Sequence, residues 1–317
     1  MDSRAVKAAH EAARRASLTL EAQCALAPYT SLGIGGPAAA LCAVSDIEGL
    51  CRGLRHAREL GVPVLLLGAG TNLLVSDEGW PGLALRLQLT GLVIDHERCT
   101  VRVAAGVKSR LLVEETIAAS LAGLEFASGL PGTVGGAVAG NAGCFGGSFG
   151  DRLIRAMVVD AEGNAHSIED PAWFHFSYRG SRLIAEGAVL AEATFALCPG
   201  DREALQSRAA ELLGIRRDKH PLPGEKTAGS YFKNLPPEQP GGRRRAAGEL
   251  LDAVGAKAMR VGDAIVFERH ANIIVNRGAA SARDVLELAD QMSGAVRRTF
   301  GIVLEPEVRL VGPRPAG

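Results

Sequence analysis

GLPGTVGGAVAGNAG, residues 129–143, decides how the rest of the chain is read. Glycine stands at Gly129, Gly132, Gly135, Gly136, Gly140 and Gly143, and most of the residues between are small. Helix and strand interiors disfavour this composition, because glycine loses more backbone freedom on folding than any other residue and offers no side chain to pack. Two readings stay open. Gly132, Gly135 and Gly136 could bring bare backbone against a flat or phosphorylated ligand, with Thr133 and Asn141 adding side-chain hydrogen bonds. Alternatively, the run is a tight crossover between packed elements.

Upstream, VPVLLLGAGTNLL (residues 62–74) reads as a buried strand feeding a turn at Gly68 and Gly70, where exposed N–H groups suit a pyrophosphate. It is not a Rossmann fingerprint, since Leu73 stands where the third glycine belongs and no clear helix follows before Gly79 and Pro81. A lone turn of this kind is more often structural.

Further out, apolar residues at helical spacing predict an N-terminal helix and helices over 45–60, 111–121, 247–254 and 282–300. Short alternating runs predict strands over 62–67, 83–87, 100–106, 155–163, 189–197, 271–276 and 302–312. Between the last two groups of elements, a stretch from about Gly214 to Arg245 is rich in charge, proline and glycine and reads as a linker or a site. The expected architecture is α+β, with the chain divided at 1–90, 91–213 and 214–317.

The 317 residues carry 35 basic and 35 acidic side chains, so no global field favours nucleic acid or an anionic membrane. Any anion must be held locally. The six cysteines lack metal-site or redox spacing, and reduced thiols are expected, with no metal. Early charges at Asp2, Arg4, Lys7 and Glu11 exclude a signal peptide, and no apolar run reaches the roughly 20 residues of a membrane span. A cytoplasmic protein, expected to be monomeric, fits these features.

TSLGIGG (30–36), GAGTNLL (68–74), GLPGTVGGAVAGNAG, YRGSRL (178–183), AGSYFKN (228–234), RHANIIVN (269–276) and LEPEVRLVG (304–312), in this order, resemble the UDP-N-acetylenolpyruvoylglucosamine reductases. Each motif is weak alone; seven in order, covering nearly all of the chain from Tyr29, are specific. The short interval from Tyr178 to Ser230 resembles the family's compact subtype. The resemblance implies two subdomains clasping FAD in a fold of the vanillyl-alcohol-oxidase (PCMH) type. It also implies a C-terminal α+β substrate-binding domain, with the last strand returning to the active-site cleft. NADPH would reduce the flavin, which would then reduce UDP-N-acetylglucosamine enolpyruvate to UDP-N-acetylmuramate for peptidoglycan. By the same resemblance FAD would be held by Gly68, Ala69, Gly70, Thr71, Asn72, Leu73, Pro131, Gly132, Thr133, Gly135, Gly136 and Asn141.

Hydride added beta to a carboxylate leaves charge on that carboxylate, so a fixed cation must face it, and a proton must reach the alpha carbon. Arg179 resembles the family's catalytic arginine; its planar fork suits a carboxylate, although spacing alone would favour a surface ion pair. Ser230 resembles the proton donor, helped by Lys233, although most serines after glycine cap a turn. Glu307 resembles the catalytic glutamate; Glu305, two residues away on the expected strand, would face the same side. Tyr178, Lys219, Lys233, Asn234 and His270 are the candidates for the sugar nucleotide, although a lone histidine entering a strand is more often structural.

Three departures from the family pattern stand out: Leu235 where proline usually follows the asparagine, Phe267 where a small polar residue is common, and a basic turn over 241–245. The rival functions are another flavoprotein oxidoreductase of the same superfamily, which would have no need of Ser230, and a flavin-binding protein without turnover.

Overall fold

The computed structural model describes residues 2–239 and 242–314. The chain folds into two compact units. One comprises Met1–Cys24, Ala38–Ala69 and Pro81–Ile215; the other comprises Ala25–Pro37, Gly70–Trp80 and Arg216–Gly317.

The first unit holds a five-stranded and a four-stranded sheet besides two-stranded ladders. In a five-stranded antiparallel sheet the order is Ala165–Ile168, Leu153–Val159, Val189–Ala196, Thr100–Ala104 and Leu92–Asp95. Val189–Ala196 alternates buried and half-buried residues in its outer half, the signature of a strand with one packed face. A four-stranded sheet runs Leu20–Ala25, Pro37–Val44, Trp80–Leu87 and Val64–Leu67, the last two parallel. The helix Ile47–Glu59 buries Leu50, Leu54 and Ala57 at helical spacing, and the Asp46 carboxylate caps it by accepting from the Gly49 N–H at 2.6 Å. Phe149 sits at the core centre, edge-on to Phe126 and Phe195.

In the second unit the antiparallel order is Lys226–Ser230, Ile273–Asn276, Ala264–Val266 and Arg260–Val261. The helix Ala282–Phe300 buries Val285, Leu288, Met292 and Val296 at spacings of three and four. Each buried large side chain of this kind contributes about 1.5–3 kcal/mol. Ser281 and Asp284 form a capping box; Asp77, from far upstream, accepts from the Ala282 and Arg283 N–H groups; Gly301, at φ +70, closes the other end. Arg309–Val311 pairs in parallel with Leu73–Val75.

Two short ladders are parallel and the five-stranded sheet is wholly antiparallel, and the α+β expectation holds. Some expected elements differ. The helix Arg202–Lys219 runs through Gly214, where the sequence suggests a linker; Leu212 is its one fully buried residue, so it lacks the apolar stripe that betrays a helix. The expected strand over 302–312 shrinks to Arg309–Val311, and the glycine-rich run contains a short helix, Val134–Ala139. Of the basic turn, Gly241 lies outside the described residues. Among the described residues no helix is long and apolar enough to cross a membrane.

Candidate active site

The candidate residues are divided between the two units. In the first, Gly68 and Ala69 follow the strand Val64–Leu67. A Cβ on Gly68 would come within 2.6 Å of the Thr133 hydroxyl, so the two glycine loops pass each other only because one presents no side chain. Thr133 caps Val134–Ala139, its hydroxyl accepting from the Gly136 N–H at 3.4 Å.

The glycines that follow Pro131 separate by cause. Gly132 has φ +122, a conformation closed to other residues. At Gly135 a Cβ would press within 2.9 Å of the Ala105 methyl. Gly136 has an ordinary helical setting, and a Cβ there would meet nothing nearer than the Thr133 hydroxyl at 3.7 Å. Neither backbone nor packing demands glycine at 136, and a bare backbone facing open space fits a flat or phosphorylated cofactor.

Asn141, at φ +41, uses its amide on the protein itself. The side-chain carbonyl accepts from Gly150 N–H at 3.0 Å and the NH2 donates to the Ser177 carbonyl at 3.2 Å. Ser177 opens a tight turn: Ser177 and Gly180 exchange backbone bonds of 3.0 and 3.3 Å, with Tyr178 and Arg179 at the tip. Arg179 has φ +57, where a turn of this kind favours glycine or asparagine. Its guanidinium donates to the Gly143 carbonyl at 3.3 Å and lies 5.3 Å from the centre of the Tyr178 ring. The glycine-rich run and the YRGSRL turn are thus stitched together at Asn141–Ser177, Gly143–Arg179 and Ala139–Ser181, the last at 2.7 Å.

In the second unit, a Cβ on Gly70, at φ +62, would overlap the Tyr29 carbonyl oxygen at 2.0 Å. Thr71 follows it half-buried, Asn72 is exposed, and Leu73 opens the strand paired with Arg309–Val311. The Asn72 side chain donates to the Glu307 carbonyl at 3.1 Å, and the Asn72 carbonyl accepts from Arg309 N–H.

Ser230 ends the strand Lys226–Ser230 directly after a bulge. Thr227 faces Val275 and Ser230 faces Ile273, so one extra residue lies between, and Gly229 takes φ +76. Bulges of this sort re-aim the next side chain. Tyr231 carries Glu307: its carbonyl accepts from the Glu307 N–H at 2.7 Å. Glu305 and Glu307 stand on either side of Pro306, which bridges to Phe232, ahead of the strand Arg309–Val311. The two acids differ in setting: Glu305 is exposed and pairs with the Lys233 ammonium, whereas Glu307 is half-buried. That pairing also offsets the Lys233 charge. Burial pushes the Tyr231 phenol up to about 12, helped by Asp290, so Tyr231 stays neutral beside Ser230.

Asn234 caps the helix Ala247–Ala253, its side-chain oxygen accepting from Ala247 N–H at 3.3 Å while Arg244 holds its carbonyl. Lys219 is the exposed last residue of Arg202–Lys219. The His270 ring packs 5.3 Å from that of His220, and its Nδ1 accepts from the Asn272 N–H at 3.3 Å. Burial lowers both histidines, His220 to about 4, with the Arg216 charge adding to the effect. The departures have local explanations: the Leu235 N–H donates to the Arg245 carbonyl at 3.0 Å, a bond proline could not make, and Phe267 is buried with Ile273 and Val275. Sequence reading missed Asn272, a buried asparagine whose one signal is its place at the mouth of an apolar strand.

A bare glycine surface beside an arginine-tipped turn lies in and beside residues 38–169, which match the FAD binding domain family, and the chain is a flavin-dependent oxidoreductase. Residues 220–311 match the family described as UDP-N-acetylenolpyruvoylglucosamine reductase, C-terminal domain. The chain is 43% identical over 287 residues to UDP-N-acetylenolpyruvoylglucosamine reductase 2 of Symbiobacterium thermophilum, covering 90% of each. It is 42% identical over 290 residues to the reductase of Syntrophus aciditrophicus, covering 90% of this chain and 89% of that one. The solved reductase of Thermus caldophilus is 37% identical, with a TM-score of 0.77, covering 93% of this chain and all of that one. This chain belongs to the UDP-N-acetylenolpyruvoylglucosamine reductase family.

Proposed function

We propose that this protein reduces UDP-N-acetylglucosamine enolpyruvate to UDP-N-acetylmuramate, with NADPH as reductant, in peptidoglycan precursor synthesis. The observation that carries the reading is the match to reductases of that name along 90% of the chain. Residues 1–90 and 91–213 serve FAD, and 214–317 serve the sugar nucleotide; the spans of the two family matches, 38–169 and 220–311, support the boundary near 214. A monomer in the cytoplasm completes the proposal.

FAD is assigned to Gly68–Leu73 and to Pro131, Gly132, Thr133, Gly135 and Gly136, with Gly136 supplying the bare surface and Asn141 fixing the neighbouring turn. Bound FAD supplies the hydride, taken from NADPH and delivered to the alkene. Arg179 holds the substrate carboxylate and stabilises the charge that develops on it; its strained, pinned backbone keeps the guanidinium preorganised. Ser230 holds the proton for the alpha carbon, and Glu307, on the same Tyr231 scaffold, orients the carboxylate end. Tyr178, Lys219, Lys233, Asn234 and His270 are assigned to the sugar nucleotide. Of these, Asn234 and His270 act through the backbone they brace.

The test is anaerobic stopped-flow absorbance. Reduced holoenzyme mixed with the enolpyruvyl substrate should reoxidise rapidly and yield the muramic acid product, and Ser230→Ala should slow that step. Reduced flavin that ignores this substrate and reoxidises only with oxygen would refute the assignment.

A further inference from the structure

The strand that delivers Ser230 ends in an unusual support. Past the Ser230–Ile273 pair the partner strand turns away, since Phe267 N–H donates to the Ile273 carbonyl and Ile273 N–H to the His270 carbonyl. Tyr231 N–H still reaches the Asn272 carbonyl at 2.8 Å, but backbone pairing stops there. The Asn272 side chain then takes over. Its Oδ1 accepts from Phe232 N–H at 2.9 Å and its Nδ2 donates to the Phe232 carbonyl at 2.8 Å. A primary amide carries the same donor and acceptor as a peptide group, so this side chain stands in for the next residue of the ladder. Asn272 is only 2% exposed and Phe232 is buried to the same degree, so both bonds lie out of water.

The opposite edge of the same segment bears Glu307. Phe232 bridges to Pro306, Lys233 N–H donates to the Glu305 carbonyl and the Tyr231 carbonyl accepts from Glu307 N–H. Residues 231–233 are therefore gripped by Asn272 on one side and carry the 305–307 segment on the other, immediately after the bulge that aims Ser230.

We propose that Asn272 is a positioning residue for proton delivery: its amide fixes the register of Tyr231–Phe232 and through it the placement of Ser230 relative to Glu307. It touches neither substrate nor cofactor in this role. The inference rests on the reading of Ser230 as the proton donor.

Asn272→Asp provides the test, because a carboxyl group reproduces the amide only when protonated. As a carboxylic acid it accepts from Phe232 N–H and donates to the Phe232 carbonyl. As a carboxylate it opposes that carbonyl, and burial raises its pKa. The FAD-loaded variant should be reduced by NADPH at the wild-type rate. Its reoxidation by the enolpyruvyl substrate at pH 8 should fall about 100-fold, the scale of a one-ångström misplacement, and should recover as pH is lowered, along a limb absent from wild type. Amide exchange at residues 231–233 of the variant should be faster at pH 8 and slow again in acid. In an Asn272→Asp, Ser230→Ala double variant the Asn272 effect should vanish. Wild-type reoxidation by Asn272→Asp at pH 8, with Ser230→Ala slow, overturns the inference. Ser230→Ala reoxidising as fast as wild type overturns the reading beneath it.

Discussion

Arg179 occupies a backbone conformation that costs a non-glycine residue about 1–2 kcal/mol. Arg179→Gly should therefore leave thermal stability unchanged or raise it by about 1 kcal/mol, with flavin content retained, while substrate-driven flavin reoxidation falls at least 100-fold, the scale for losing a preorganised charge partner. Calorimetry and stopped-flow on one preparation check both halves. Gly136 gives the complementary case. Gly136→Ala should stabilise the apo chain by up to about 1 kcal/mol, since alanine is the better helix former and has room, yet weaken FAD binding in a fluorescence titration; unchanged affinity would remove Gly136 from the cofactor surface. At this scale the sequence spoke through motif order more than through spacing. Arg179, Ser230 and Glu307 are ordinary residue types whose significance depends on partners far away, such as Asn72 and Glu307, 235 positions apart. Asn272 was invisible for a related reason: its side chain does backbone work, and no local pattern encodes that.

Elements with a marked apolar stripe were legible. The helices Ile47–Glu59 and Ala282–Phe300 and the strands Thr100–Ala104 and Val189–Ala196 stand within a few residues of their expected bounds. Arg202–Lys219 was missed because a single fully buried leucine leaves no stripe, and Pro37–Val44 because its alanine-rich run alternates nothing. Caps that come from elsewhere in the chain also escape a local reading. Asp77 accepts from the first two N–H groups of Ala282–Phe300 in addition to the helix's own capping box. Asp77→Ala should therefore cost about 1–2 kcal/mol by urea unfolding, about as much as Ser281→Ala; an effect under about 0.3 kcal/mol would mean that the local box suffices.

For the molecule as a whole, acid should be the weak side. His220 and His270 have folded pKa values below the ordinary 6.5, His220 at about 4, because burial opposes their charged forms. Between those values the unfolded chain binds more protons than the folded one, so stability is fully present above about pH 6.5 and is lost as pH falls towards 4. Melting temperature measured from about pH 7.5 to 4 should decline across that window, and His220→Gln should flatten the decline. Composition bounded the class but gave no hint of how the chain is shared out between units. The second unit takes Leu32, Ile34 and Leu74 into its core from the two early stretches. A fragment of residues 216–317 alone should therefore show little protection from amide exchange. The same sharing sets a timetable for biosynthesis. Leu73–Val75 leaves the ribosome well before Arg309–Val311, the strand it pairs with, is made, so during translation this earlier segment must wait, unpaired and apolar, while the long stretch between them is read. A chain cut before Arg309 would carry every glycine of the cofactor loops and still lack the strand on which Leu73–Val75 closes.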